Sequence, residues 1–266
     1  MAADTPAHAS ATQETEAAVH AEGLTKRFGA FTAVDGISLA VMRGEIFGFL
    51  GANGAGKTTA IRMFCGLLAP TAGLARVAGH DIRTNARDVK RSIGYMSQRF
   101  ALYDDLTIAQ NIEFYGGIHG LSRAHIRQQT ARLLADLHLE GRGKLLTRSL
   151  PLGWKQRLAL GVATLHDPPI IFLDEPTGGV DPISRRNFWR LIYDLAAVGK
   201  TIFVTTHYMD EAEYCGRLSI MYEGRIIEIG KPGDLKRIHG KSTIQEVFVH
   251  LVGGSDPRKS AGGVSA

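Results

Sequence analysis

Ile46-Phe47-Gly48-Phe49-Leu50-Gly51-Ala52-Asn53-Gly54-Ala55-Gly56-Lys57-Thr58-Thr59 is the stretch whose reading decides the rest of the chain. Its first five residues form a short apolar run, which is how a strand buried on both faces of a parallel sheet reads. Gly51 to Thr58 then fits the pattern G-x-x-x-x-G-K-[ST], and Thr58 to Cys65 is compatible with a helix. Strand, glycine loop and helix in that order make a phosphate cradle. Glycine lets successive backbone N–H groups of Ala52, Asn53, Gly54, Ala55 and Gly56 close around one phosphate, and the helix start adds its positive dipole end. Lys57 is expected to bridge the β- and γ-phosphates, the Thr58 hydroxyl to ligate Mg²⁺, and Thr59 to donate to the α-phosphate. The sequence therefore predicts a nucleoside triphosphate site.

More than a hundred residues downstream, Ile170-Ile171-Phe172-Leu173 runs into Asp174-Glu175. A buried parallel strand delivers its last residues to the sheet edge where ligands sit. A strand ending in two carboxylates is by itself most often a capping or surface pair; a phosphate loop upstream gives it a chemical reading. Asp174 is expected to hold Mg²⁺, a hard cation that favours carboxylate and water, and Glu175 to act as general base on the attacking water. His207 follows the apolar strand Thr201 to Thr205 and could meet the γ-phosphate and that water. Gln98, after Ile93-Gly94-Tyr95-Met96-Ser97, could offer its amide oxygen to Mg²⁺ or the water. Each of these two side chains taken alone is an ordinary polar residue.

The chain has 266 residues, 44% of them hydrophobic, enough for one domain with a subdomain. Its formal charge is +5 with no Lys/Arg block, so no nucleic-acid stripe is expected. Two cysteines, Cys65 and Cys215, make neither a disulfide framework nor a metal cluster. The start lacks the basic and apolar regions of a signal peptide, and no apolar run approaches the ~20 residues a membrane span needs. The expected address is cytoplasmic, and any membrane role needs a partner. Residues 1–18 and 253–266 read as disordered ends, poor in aliphatic residues. Between them, strands are expected at Phe31–Val41, Ile46–Leu50, Ile170–Leu173, Thr201–Thr205, Leu218–Tyr222 and Arg225–Ile229. Helices are expected at Thr58–Cys65, Asn187–Val198 and Met209–Cys215. Val19 to Arg43 is strand-dense and predicts a small antiparallel sheet, whereas about Thr107 to Leu165 reads as a helical insertion. This is an α/β architecture of two lobes.

In this order the pieces resemble the nucleotide-binding domain of ABC transporters, over about residues 19 to 250. Gly51–Thr58 is similar to the Walker A loop, Ile170–Asp174 to Walker B and Glu175 to the catalytic glutamate. Gln98 matches the Q-loop, Gly179-Val180-Asp181 the D-loop and His207 the switch histidine, while Phe28 sits where the family keeps an aromatic that stacks on adenine. The resemblance implies a P-loop (RecA-like) core spanning 19–252, with an antiparallel β subdomain and a helical subdomain at about 99–165. The tracts Ile93–Gln98, Leu102–Thr107 and Thr205–Ala212 look most like drug- and antibiotic-export ATPases that pair with a separate membrane permease. By the same resemblance Phe100 to Gly120 is the docking surface for it, and the ATPase sits on the cytoplasmic face of the membrane.

One departure stands out. The family signature reads Leu-Ser-Gly-Gly-Gln, and this loop caps the γ-phosphate held by a second ABC domain. Here the stretch is Leu150-Pro151-Leu152-Gly153-Trp154-Lys155-Gln156-Arg157. Pro151 brings neither hydroxyl nor N–H, Leu152 keeps its N–H behind a bulky side chain, and Gly153 preserves one close approach. Either the chain pairs with an ABC domain bearing an ordinary signature, or it forms a homodimer with two slower sites. Two other functions compete with a transport ATPase. A soluble ABC ATPase on nucleic acid or the ribosome usually has tandem domains or a long coiled coil, absent here. A non-hydrolysing ATP binder is disfavoured by Glu175 and His207.

Overall fold

The computed structural model describes residues 17–98 and 102–254. A six-stranded sheet forms the centre, in the order β10-β9-β3-β8-β7-β6. Its strands are β3 (Ile46–Gly51), β6 (Ile93–Met96), β7 (Ile170–Asp174), β8 (Thr201–Thr206), β9 (Arg217–Tyr222) and β10 (Arg225–Gly230). Every pairing in it is parallel except the β9–β10 hairpin. That hairpin turns through Glu223 and Gly224, at φ 46° and 80°, the left-handed pair a two-residue turn requires. Strands β7 and β8 are buried at every position, as their unbroken apolar runs imply.

Phe203 of β8 sits at the centre of an aromatic cluster. Its ring centroid lies 5.5 Å from Phe47, 5.4 Å from Phe49, 5.3 Å from Phe172 and 5.6 Å from Phe64. Phe64 belongs to α1 (Lys57–Phe64), so one cluster fixes the helix after the glycine loop against β3, β7 and β8 together. Aromatic burial of this kind dominates core energetics.

A second, antiparallel sheet runs β2-β1-β4-β5, built from β1 (Ala17–Phe28), β2 (Phe31–Met42), β4 (Ala72–Val77) and β5 (His80–Asp81). This is the small sheet expected from the strand-dense start. It begins two residues inside the stretch read as a disordered end, because Ala17 already pairs with Met42; residues 1–16 lie outside the described residues. No strand was expected at Ala72–Val77 or Ile93–Met96, nor a helix at α2 (Ala86–Ser92).

The insertion is helical as expected, with α3 (Ile108–Ile118), α4 (Arg123–Asp136) and α5 (Leu152–Ala163), though residues 99–101 at its start lie outside the described residues. Thr107 and Gln110 close a capping box on α3, and the Ser122 hydroxyl caps α4. Helix α6 (Pro182–Ala197) starts five residues before the expected Asn187, because Asp181 caps it and Pro182 opens it. α7 (Pro232–Ile238) and α8 (Ile244–Gly254) complete the chain. Two expectations are corrected. Met209–Cys215 is not an α-helix; only a 3₁₀ turn, Glu211–Tyr214, precedes β9. Gly253 and Gly254 end α8 rather than beginning a disordered tail, and residues 255–266 lie outside the described residues.

The helical lobe meets the sheet at two stacked imidazoles, His119 after α3 and His166 after α5, with centroids 3.6 Å apart and planes 9° from parallel. His166 Nε2 donates to the Ile93 carbonyl at 2.9 Å, while its Nδ1 is buried without a partner. Burial, with His119 alongside, pushes the His166 pKa down to about 4 from 6.5. Below pH 6.5 the unfolded chain therefore binds a proton at this position that the folded chain refuses. The stabilisation is complete above pH 6.5 and declines as pH falls toward 4. Urea unfolding at pH 7 and pH 5 should show wild type losing more stability than His166→Gln; equal losses would contradict this reading.

Candidate active site

The loop after β3 owes its path to two glycines with no room for a Cβ. At Gly51 a Cβ would lie 2.5 Å from the Met221 carbonyl oxygen. At Gly56, with φ +104°, it would lie 2.3 Å from that of Ala33. Gly56 is also the N-cap of α1, with no side chain taking the first-turn amides. Ala52, Asn53 and Gly54 are exposed, Ala55 is buried against the β9–β10 turn through Gly224 N–H at 3.1 Å, and Thr59 is half-buried.

Lys57 is 4% exposed. Its ammonium donates to the carbonyls of Gly51 at 2.7 Å and Ala52 at 3.0 Å, and faces Glu175 Oε1 at 3.3 Å. Burial lowers its pKa, against the pull of Glu175 and Asp174. A compact point charge held this way suits a phosphate oxygen.

Asp174 ends β7 and is 1% exposed. Its Oδ1 accepts from Thr58 Oγ1 at 3.1 Å and from Thr205 Oγ1 at 2.8 Å, while Oδ2 is buried with no partner. Burial raises its pKa, opposed by those two hydroxyls. A carboxylate oxygen without a donor, beside a threonine hydroxyl, is a hard-oxygen set that fits Mg²⁺.

Glu175 follows with φ +50°, an uncommon conformation for a glutamate. Its N–H donates to both the carbonyl (3.2 Å) and the hydroxyl (2.9 Å) of Thr205. Its Oε2 accepts from Gln98 Nε2 at 2.9 Å and faces His207 Nδ1 at 3.0 Å. The structure thus brings together Lys57, Thr58, Gln98, Asp174, Glu175 and His207. Gln98 presents its amide nitrogen to Glu175.

Three expected groups lie apart from this cluster. Phe28 is 49% exposed at the end of β1, with Lys26 Nζ 5.2 Å from its ring centroid. Pro151 is the N-cap of α5, and Leu152 is 37% exposed, with its Cδ2 beside Gly179. Gly153, read as a close approach to a second subunit's ATP, meets its own chain: a Cβ there would be 2.6 Å from Ser184 Oγ. Asp181 caps α6, accepting from Ile183 N at 3.0 Å and Ser184 N at 2.9 Å.

Two residues were missed. Gln156, 4% exposed, reaches from α5 to the Gly178 carbonyl at 3.2 Å and lines a cavity of about 190 Å³ beside Glu175. Thr205 bonds both carboxylate residues; the signal for it was a threonine pair closing an apolar strand that stands in register with Asp174.

Residues 34–178 match the family model described as ABC transporter. The chain is 45% identical over 242 residues to the "Probable multidrug ABC transporter ATP-binding protein YbhF" of Escherichia coli (strain K12), covering 89% of this chain and 42% of that protein. It spans only about two fifths of that relative. It is 40% identical over 243 residues to the "Nod factor export ATP-binding protein I" of Paraburkholderia xenovorans (strain LB400), covering 91% of this chain and 78% of that one. A dimeric ATP-binding cassette solved in a post-hydrolysis state bound to ADP and Pi superposes with a TM-score of 0.73 at 26% identity, over 80% of this chain and 98% of the other.

Thr205→Val keeps the shape and removes the hydroxyl that serves Asp174 and Glu175. It should lower unfolding stability in urea by about 1–3 kcal/mol. A change within experimental error would show that this hydroxyl does not hold the site.

Proposed function

The chain belongs to the ABC transporter family, and from that premise we propose that it is the ATP-binding and ATP-hydrolysing subunit of an export-type transporter. The observation that supports this most is the convergence of Lys57, Gln98 and His207 on the Glu175 carboxylate, within 3.3 Å, next to the Thr58–Asp174 pair. In this reading the loop Gly51 to Thr59 and Lys57 hold the phosphates, and Phe28 stacks on adenine. Thr58, Asp174 and Gln98 would hold Mg²⁺, which would supply charge neutralisation on the phosphates. Glu175 orients and deprotonates the attacking water, and His207 holds Glu175 and the γ-phosphate in one frame. The cluster already contains a base, its partners and a cation for the phosphates, as phosphoryl transfer to water needs.

The same reading makes this chain one half of a composite ATPase. Pro151, Leu152 and Gly153 face the ATP of a second ABC domain, and Asp181 lies at that contact. The other partner is an integral-membrane permease; no helix among the described residues is long and apolar enough to cross a membrane. An apolar groove of about 340 Å³, lined by Tyr95, Met96, Leu102, Tyr115, Ile118 and Ala159, suits an apolar segment of that permease. It adjoins Gln98 in sequence and overlaps the docking stretch expected at 100–120; residues 100 and 101 lie outside the described residues. Such a subunit works at the cytoplasmic face, and the permease selects what is transported. The relatives' names, multidrug and Nod factor export, favour outward transport.

Phosphate release from Mg·ATP by the full chain tests the reading. Glu175→Gln should cut turnover by about 100-fold or more while ATP still binds; undiminished release would remove Glu175 as the base. For the signature loop, Pro151→Ser combined with Leu152→Gly in the complex with its permease should raise turnover about tenfold, by restoring donors to the facing phosphate. Unchanged turnover would mean the altered loop is not limiting.

A further inference from the structure

The buried carboxylate of Glu211 does not touch the cluster around Glu175, yet it is fully buried at 0% exposure. It belongs to the 3₁₀ turn four residues after His207. Three segments converge on it. The Thr177 hydroxyl donates to Oε1, the Thr206 hydroxyl donates to Oε2 at 2.7 Å, and Arg185 Nε stands 3.4 Å from Oε1. Thr177 and Thr206 are themselves buried, at 1% each.

The places these groups come from are informative. Thr177 lies two residues beyond Glu175, in a turn closed by Gly178 N–H on the Glu175 carbonyl at 3.2 Å. Thr206 precedes His207, and its hydroxyl accepts from Tyr208 N–H at 2.9 Å, so the residues flanking the histidine are tied to each other. Arg185 comes from the first turn of α6; it also meets Asp210 at 3.3 Å and lies 4.3 Å over the Tyr208 ring. Neither Glu175 nor His207 stands inside a strand or an α-helix. The ladder between β7 and β8 reaches as far as the Glu175 N–H on the Thr205 carbonyl and stops short of His207. Beyond that point one carboxylate grips both flanks, Thr177 on the Glu175 side and Thr206 on the His207 side. Burying a charge is expensive unless donors and an opposite charge meet it; here two hydroxyls donate and the Arg185 guanidinium pairs with it.

We propose that Glu211 is a positioning residue for hydrolysis: it locks the Thr206–Tyr208 segment carrying His207 to the Thr177 turn carrying Glu175, and Arg185 extends that lock to the start of α6. The proposal rests on Glu175 and His207 being the hydrolytic pair. Glu211 acts only through them, so its loss changes the geometry of the chemical step and leaves the phosphate loop alone.

Glu211→Gln, which keeps the shape, should lower kcat for Mg·ATP about tenfold with KM within about threefold. In a His207→Ala background the same change should remove less than about another twofold, because the contact it positions is already gone. A full tenfold loss in both backgrounds, or no loss in either, overturns the proposal, since a merely structural residue acts additively. A second readout needs no turnover. In histidine side-chain NMR of the full chain, Glu211→Gln should move the ring resonances of His207 and leave those of His20, far along the chain in the antiparallel sheet, in place. An unmoved His207 overturns the proposal. If the wild-type chain releases no phosphate at all, the ATPase reading fails, and the NMR result still judges the lock by itself.

Discussion

The Glu175 carboxylate collects a lysine from the glycine loop, a glutamine after β6 and a histidine after β8, at 3.3, 2.9 and 3.0 Å. These residues are scattered over 151 positions of sequence, from 57 to 207 counted inclusively. What brings them to one point is the parallel register of four adjacent strands, β3, β8, β7 and β6. Leu50 pairs with Thr206, and Asp174 with Thr205, so β3, β7 and β8 end at the same edge. A parallel sheet presents all its strand ends on one side, and that side is where ligands meet open α/β sheets. The aromatic cluster around Phe203 holds those strands and α1 in that register from below.

The electrostatics follow from burial. Asp174 and Glu175 are neighbours, nearly hidden from water, and among the described residues Lys57 is the one ammonium in contact with them. Burial pushes the Lys57 pKa down and that of Asp174 up, so both charges rely on their hydrogen bonds. In such a setting an added phosphate and cation are strong competitors for the same partners, since paired charges interact more strongly where water is excluded. In the proposed reading, the groups that hold the Glu175 carboxylate each have a second role toward phosphate, cation or attacking water.

Much of this was legible in the chain because the relevant signals are local. The glycine loop with its flanking strand and helix, and the apolar run ending at Asp174-Glu175, need only neighbouring residues to be recognised. Ala72–Val77 escaped because small residues and one glycine carry little strand preference; it is a strand only because β1 offers it a partner. Glu211–Tyr214 looked helical by composition, but Glu211 turns inward to Thr177 and Thr206, and β9 begins three residues after the turn ends. Gly153, read as a contact for a second subunit's nucleotide, has a further role that the sequence did not show: its missing side chain makes room for Ser184 of its own chain. Thr205 left only a weak signal, the threonine pair closing β8, because its importance lies in cross-strand register, which no single segment contains.

The account is tested most directly by a crystal structure of the chain with Mg²⁺ and a non-hydrolysable ATP analogue. It predicts Lys57 Nζ on phosphate oxygens and no longer within 3.3 Å of Glu175 Oε1, with Thr58 and Asp174 on the cation and Glu175 still touching His207. A nucleotide bound elsewhere, with the Lys57–Glu175 contact intact, would contradict it.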